Sequence, residues 1–167
     1  MKDFLLFLAL GIVIFITESI LLAMPRFQWF RYDLFIPLII FMGLYQPTHV
    51  GLPLCILFGF FMDVFSGGIF GLFLSIYFWL FCLVKAVLRF LDLQNLFLEA
   101  VLVIFGVAAE NLTIIILMQL LGQGELRYVT LQDIIVQTLF AGATTPFIFV
   151  VFFRLRNMQL PKLFYLR

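Results

Sequence analysis

Six apolar stretches, separated by short polar breaks, run through almost the whole chain. A helix that crosses the hydrocarbon core of a bilayer needs about 20 mostly apolar residues. Backbone groups in lipid must pair within their own segment, so each stretch is expected to be helical. We therefore predict an all-α integral membrane protein, a single domain over residues 1–167 built as a bundle of about six transmembrane helices. The predicted spans are residues 4–24, 34–45, 50–65, 69–88, 96–121 and 131–153.

The composition agrees with a protein that lies almost wholly in lipid. Hydrophobic residues make up 65% of the chain and charged residues 11%, whereas a soluble domain carries about 45–50% and about 25%. The net charge of +1 supplies no field that would attract nucleic acid, so we expect no nucleic-acid partner. The first stretch exceeds a typical signal-peptide core and carries Glu18, so we expect a retained helix.

Two of the predicted spans, residues 34–45 and 50–65, are short for a bilayer. Each could cross the membrane on its own. Alternatively, the two together form one re-entrant hairpin that enters and leaves the membrane on the same side. The sequence leaves both arrangements open.

The distribution of lysine and arginine predicts the orientation. With six spans, both termini share one side of the membrane. Seven basic residues fall on that side, namely Lys2, Lys85, Arg89, Arg154, Arg156, Lys162 and Arg167. Three fall on the other, namely Arg26, Arg31 and Arg127. By the positive-inside rule we expect cytoplasmic N- and C-termini. The basic tail from Arg154 onward could also hold anionic membrane lipids.

Small residues recur along one face of the third span. Gly51, Cys55, Gly59 and Asp63 are spaced by four and therefore share a helix face. Small side chains let a neighbouring backbone approach closely, and the spacing Gly67-x-x-x-Gly71 continues this surface into the fourth span. Packing inside the monomer and a homodimer contact both explain the pattern.

Acidic residues within the apolar stretches are candidate buried polar groups. A charge at the bilayer centre costs about 2.5–3.5 kcal/mol on insertion scales, so such residues face protein or water, pair, or carry a proton. Glu18, Asp63 and the adjacent pair Glu110 and Asn111 are in this position. The functional interpretation is a proton relay or ligand site; the structural one is hydrogen bonding between helices, or for Asp63 the capping of a turn.

Three further residues in the spans carry specific expectations. Pro146 should kink the sixth span, with the preceding threonines helping to satisfy the freed carbonyl groups. Tyr77 and Trp79 fall in mid-span, away from the membrane interfaces, and are expected to pack against neighbouring helices.

Sequence patterns typical of enzymes are missing. The chain contains no HExxH, GxSxG or P-loop motif, one histidine in total, and two cysteines that each lie in an apolar run. We therefore expect no enzymatic activity, no catalytic residues, no metal site and no cofactor.

The stretch GFFMDVFSGGIFG resembles the central signature of the rod-shape-determining MreD family. The residues that carry the resemblance are Gly59, Asp63, Ser66, Gly67 and Gly71. Chain length and three other features agree: a Tyr-x-Pro break at residues 45–47, the acid Glu110 midway along the fifth span, and Pro146 followed by a basic tail.

The resemblance implies a multi-pass component of the bacterial inner (cytoplasmic) membrane that belongs to the cell-elongation machinery. Members of the family bind MreC directly. Directly or through MreC they are connected to MreB filaments and to RodA with its penicillin-binding protein partner, and so to peptidoglycan synthesis and rod-shape maintenance. Their fold is similar to that of the substrate-binding subunits of energy-coupling-factor transporters, which says little about function by itself.

A competing hypothesis is a membrane-embedded small-molecule-binding or transporter subunit. It requires a polar cavity among Glu18, Asp63 and Glu110 together with an energising partner such as an ATPase pair. A homo-oligomeric channel would need a polar stripe along one whole helix, and the sequence contains none.

Overall fold

The structure, a computed structural model, describes residues 2–23, 33–66, 69–89, 96–120 and 131–159. Six helices and no strands occupy these ranges. They are α1 Lys2–Ala23, α2 Phe35–Tyr45, α3 Thr48–Ser66, α4 Leu72–Val87, α5 Leu96–Leu120 and α6 Leu131–Gln159. The prediction of an all-α chain is confirmed, and each helix corresponds to one of the six predicted stretches.

Three helices are long and apolar enough to cross a membrane, at Thr48–Ser66, Leu98–Ile116 and Ile134–Leu155. Three shorter apolar helices accompany them. This architecture is that of a helical membrane protein, while the count of six spans stays a prediction. Helix α6 continues to Gln159, beyond the end predicted for the sixth span. Arginine, leucine and methionine are good helix formers, so α6 does not stop where its apolar stretch does.

Helix α2 lies at the centre of the bundle and contacts all five other helices. Residues Phe35–Gly43 are buried on every side of it. Its 11 residues span only about 16 Å, roughly half of the hydrocarbon core. A re-entrant hairpin of the second and third stretches fits α2 by length, whereas α3 is long enough to cross a membrane. The two arrangements both stay predictions.

Contacts between side chains show the direction of the helices. Phe35 lies against Tyr77 and Gly43 against Val84, so α2 and α4 run parallel. Gly51 lies against Phe81, on the other side of the short α2–α3 connection. Helix α3 is therefore antiparallel to both. The end at which α3 ends and α2 and α4 begin is called the Asp33 end below, and the opposite end is called the Tyr45 end.

Helix α1 runs parallel to α3, because Gly11 faces Phe58 and Phe15 packs edge-on against Phe65 with ring centroids 4.6 Å apart. It ends at the Asp33 end and brings Glu18 there. Helix α5 is antiparallel to α2 and ends at the same side, so Glu110 is carried towards the start of α2. The alternation of helix directions thus gathers acids that are distant in sequence.

Candidate functional site

The small-residue face of α3 packs against α4 within the chain. All four of its members, Gly51, Cys55, Gly59 and Asp63, are buried. A Cβ atom added at Gly59 would lie 2.5 Å from the Leu74 Cα atom and 3.0 Å from its amide nitrogen. Because these are backbone atoms, neither helix could accommodate a larger residue without moving. Of the two alternatives for this face, the structure shows the contact inside the monomer.

Asp63 caps α4 from the neighbouring helix. Its Oδ1 accepts a hydrogen bond from the Phe73 amide at 2.8 Å, and its Oδ2 accepts one from the Leu74 amide at 3.2 Å. The residue at the N-cap of α4, Gly71, supplies no side-chain cap of its own. A carboxylate at a helix N-terminus satisfies unpaired amides and is stabilised by the helix dipole.

Our expectation had placed Asp63 against the amides of the turn that follows α3. The structure places it against the first turn of α4 instead, so Asp63 joins two helices. Ser66 lies beside it and donates a long hydrogen bond, 3.4 Å, from its hydroxyl to the Asp63 carbonyl oxygen. Gly67, another signature residue, lies outside the described residues.

Gly71 has a different role from the one expected of it. We expected a close contact between this residue and a neighbouring helix, but a Cβ atom built there meets no atom of the described chain within 4 Å. Its φ is +92°, in the left-handed region that favours glycine. The requirement for glycine is therefore conformational, and the close helix contact belongs to Gly59.

Exposed aromatic rings lie near the end of α3 and just before α4. We call this surface the phenylalanine face, and it consists of Phe60, Phe61, Phe65 and Phe70. These side chains are between 41% and 66% exposed. The Phe60 and Phe70 rings pack perpendicular to each other with centroids 5.8 Å apart, so the face joins the end of α3 to the residues before α4.

A second cluster gathers three buried acids at the Asp33 end. Glu18 of α1 is 8% exposed, Glu110 of α5 is 6% exposed and Asp33 is 6% exposed. Both glutamates interact electrostatically with Asp33. Glu110 faces the protein, as expected. The competing hypothesis had grouped Asp63 with Glu18 and Glu110, whereas the structure uses Asp63 at the α3–α4 junction and puts Asp33 at the centre of the acid cluster.

Asp33 accepts hydrogen bonds from several donors. Its Oδ1 accepts from the Phe35 amide at 2.7 Å, and the Ile36 amide donates to the carboxyl as well. The Tyr77 hydroxyl of α4 donates to Oδ2. Asp33 also shares a hydrogen bond with the Glu110 carboxyl. One side chain thus caps α2 and ties it to α4 and α5.

The Glu18 carboxyl is only half satisfied. It accepts a hydrogen bond from the Leu34 amide, which ties α1 to the start of α2. Its Oε2 atom is buried and has no hydrogen-bond partner among the described residues. A buried charged oxygen without a donor is costly.

Asn111, Pro146 and Trp79 stand apart from both clusters. The Asn111 amide donates to the Val107 carbonyl of its own helix at 2.9 Å, a structural bond. Helix α6 continues through Pro146, and the Thr145 hydroxyl bonds the Ala141 carbonyl rather than the Gly142 carbonyl that the proline frees. The expectation for Trp79 was wrong, since its side chain is 70% exposed.

Asp33 was missed by the sequence reasoning, and Tyr77 was expected only to pack. An aspartate directly before an apolar run is a helix N-cap signature, and that signal stands at Asp33 and Leu34. No comparable signal exists for the Tyr77 hydroxyl, because its partner is distant in sequence. Among the described residues, no group of histidine, cysteine or acidic side chains could hold a metal ion.

Comparison of the chain with protein-family models, with curated proteins and with solved structures finds no match. The resemblance to the MreD family therefore rests on the residues of the signature alone.

Proposed function

We propose that the protein is a non-enzymatic inner-membrane scaffold of the bacterial cell-elongation machinery, of the MreD kind, which binds MreC. One observation supports this above the others. The described signature residues form a single structural unit, in which Gly59 and Asp63 lock α3 onto α4 and Gly71 shapes the connection. A protein that acts through its surface requires helices of defined shape, and the residues of this signature all shape one helix pair.

The partner contact in this proposal lies on the phenylalanine face. Gly59 and Asp63 make their contacts inside the chain, so neither can contact a partner directly. Helices in lipid associate by close packing, because lipid removes the hydrophobic driving force between them. The rings of Phe61 and Phe70 are rigid, and the α3–α4 junction holds them in place. They form a surface against which a transmembrane helix of MreC packs.

The remaining parts of the proposal concern location and wider connections. The protein lies in the inner membrane with six spans, in a fold similar to energy-coupling-factor substrate-binding subunits, and with both termini in the cytoplasm. The Asp33 end then lies on the periplasmic side. Through MreC, or directly, the protein is connected to MreB filaments and to RodA with its penicillin-binding protein partner.

Co-purification tests the proposed contact. Phe70→Ala and Phe61→Ala each remove an exposed ring of the phenylalanine face, and Phe147→Ala is the matched control. Phe147 lies on α6 and is 73% exposed. We expect the first two variants to retain folded yield and to lose most MreC co-purification from native membranes, while Phe147→Ala keeps it. Full MreC binding by Phe61→Ala and Phe70→Ala would place the contact elsewhere, and no MreC binding by the wild type would reject the scaffold.

The unpaired oxygen of Glu18 favours a second candidate, a small-molecule-binding or transporter subunit. In this case the acid cluster would line the ligand site. The same native purification distinguishes the two functions, since a transporter subunit should bring down an ATPase pair instead of MreC. Genes that encode MreB and MreC beside this one would favour the scaffold.

A further inference from the structure

The acid cluster brings together four ionisable side chains from four parts of the fold. They are Glu18 from α1, Asp33 before α2, Tyr77 from α4 and Glu110 from α5. Within the described residues, the charges that act on these carboxyls are one another's, and α3 and α6 contribute none. Three carboxyls buried together, with no counter-cation among the described residues, cannot all be ionised at acceptable cost.

The hydrogen bond between Glu110 and Asp33 requires a proton, because an ionised carboxylate can only accept. The surrounding donors decide which partner holds it. Asp33 already accepts from two backbone amides and from the Tyr77 hydroxyl, an arrangement that stabilises its carboxylate form. Glu110 is therefore the donor of the pair.

Glu18 supplies an observation that is independent of the Glu110–Asp33 bond. Its side chain is more than nine-tenths buried, it points to the start of α2 through its bond to the Leu34 amide, and its Oε2 atom has no partner among the described residues. A proton is the smallest ligand that removes the charge from this oxygen. The described residues also lack the ligand set of a metal site.

We propose that Glu18, Asp33, Tyr77 and Glu110 form a proton-binding site at the Asp33 end of the bundle. One proton is bound to Glu110, which donates a hydrogen bond to Asp33. A second moves from a hydronium ion of the aqueous phase to the Oε2 atom of Glu18: one O–H bond of hydronium breaks, an O–H bond forms on Glu18, and a water molecule is left. Because the cluster ties α1, α4 and α5 to the start of α2, proton occupancy sets how firmly this end of the bundle is held together. The site is independent of MreC binding.

Infrared difference spectroscopy on the full-length protein in lipid vesicles tests the site through the C=O stretch of protonated carboxyls. We expect one such band at neutral pH that is lost in Glu110→Gln. A second band should grow as pH falls and be lost in Glu18→Gln. Glutamine keeps the size of the side chain and an N–H donor, so both variants should fold.

Two controls sharpen the measurement. Glu99→Gln changes a buried acid at the Tyr45 end. Its Oε1 accepts a hydrogen bond from Tyr45, and its Oε2, like that of Glu18, has no partner among the described residues. Because Glu99 lies outside the cluster, this variant should leave the Glu110 and Glu18 bands in place. Tyr77→Phe removes one donor to Asp33 and should change the frequency of the Glu110 band without abolishing it. Loss of either band in Glu99→Gln would show that the signals do not belong to the cluster.

Several outcomes would overturn the proposal. One is a folded wild-type protein with no protonated-carboxyl band, and another is a Glu110→Gln variant that keeps the band seen at neutral pH. A Glu18 signal that responds to sodium or methylammonium at constant pH, and not to pH, would show that the site binds a cation instead of a proton.

Discussion

At the scale of single residues, two glycines of the signature have different structural roles. Gly59 is needed for space, because the Leu74 backbone approaches it closely. Gly71 is needed for its backbone conformation, with φ at +92° and no neighbour near its Cβ position. The G-x-x-x-G pattern of membrane helices, taken by itself, predicts close helix packing at both glycines.

Gly59→Ala should destabilise the protein more than Gly142→Ala does. The added Cβ at Gly59 meets backbone atoms of Leu74, which cannot shift alone, whereas at Gly142 it meets the flexible end of the Ile104 side chain at 2.7 Å. We expect a loss of about 1–3 kcal/mol for Gly59→Ala, as for other overpacked sites. Thermal unfolding of both variants in one detergent measures the difference, and equal midpoints would contradict the assigned contact.

Asp63→Leu should lower the folded yield, because the Phe73 and Leu74 amides lose their acceptor. The cost of leaving these partly buried donors unpaired is about 1–3 kcal/mol. Asp63→Asn is the matched control, since its carbonyl oxygen can still accept one of the two bonds. The measurement is the detergent-resistant folded fraction by size-exclusion chromatography. A normal yield of Asp63→Leu combined with lost cell elongation would assign Asp63 a direct functional role.

At the scale of helices, α2 differs from the other five in having no lipid-facing side. The helix is apolar all round and buried all round, as expected for a helix that is enclosed by others. Because α2 does not face lipid, its short length does not conflict with the thickness of the bilayer. A central helix needs to match the surrounding helices in packing, and only the enclosing helices need to match the bilayer in thickness.

Substitutions along α2 should consequently be costly on every face. Ile39→Ala removes a side chain that is 0% exposed, and Leu139→Ala on α6 removes one that is 68% exposed. We expect Ile39→Ala to lose about 2–5 kcal/mol through the cavity it leaves, and Leu139→Ala to change little because lipid fills the space. Thermal unfolding in lipid nanodiscs gives both values. Comparable losses would argue that α2 contacts lipid.

At the scale of the whole molecule, the helix directions place the acid cluster and the phenylalanine face at the same end of the bundle. The Tyr45 end instead carries Lys85, whose ammonium donates to the Gln46 carbonyl at 2.6 Å. A lysine at this end agrees with a cytoplasmic location under the positive-inside rule. The orientation therefore decides whether the cluster meets the periplasm.

Reporter fusions measure that orientation. A cytoplasmic reporter joined after Arg167 should be active, and a periplasmic reporter at the same point should be silent. The physical reason is the excess of seven basic residues over three on the side of the termini. A reporter inserted between α1 and α2 serves as the control of opposite expectation. Activity of only the periplasmic reporter at Arg167 would refute the six-span topology.

The sequence by itself determined the class of the protein, the approximate position of each helix and the small-residue face of α3. These features are local: transfer of a segment into lipid is a sum over its own residues, and spacing by four places residues on one face of a helix. Only the tertiary structure decided that α2 is central, that Tyr77 is buried while Trp79 is exposed, and that Asp33 joins Glu18 to Glu110. In a soluble helix an apolar stripe shows which side is buried. In this chain lipid and protein interior are equally apolar, so the sequence carries no such stripe, and the rotation and neighbours of each helix follow from packing alone.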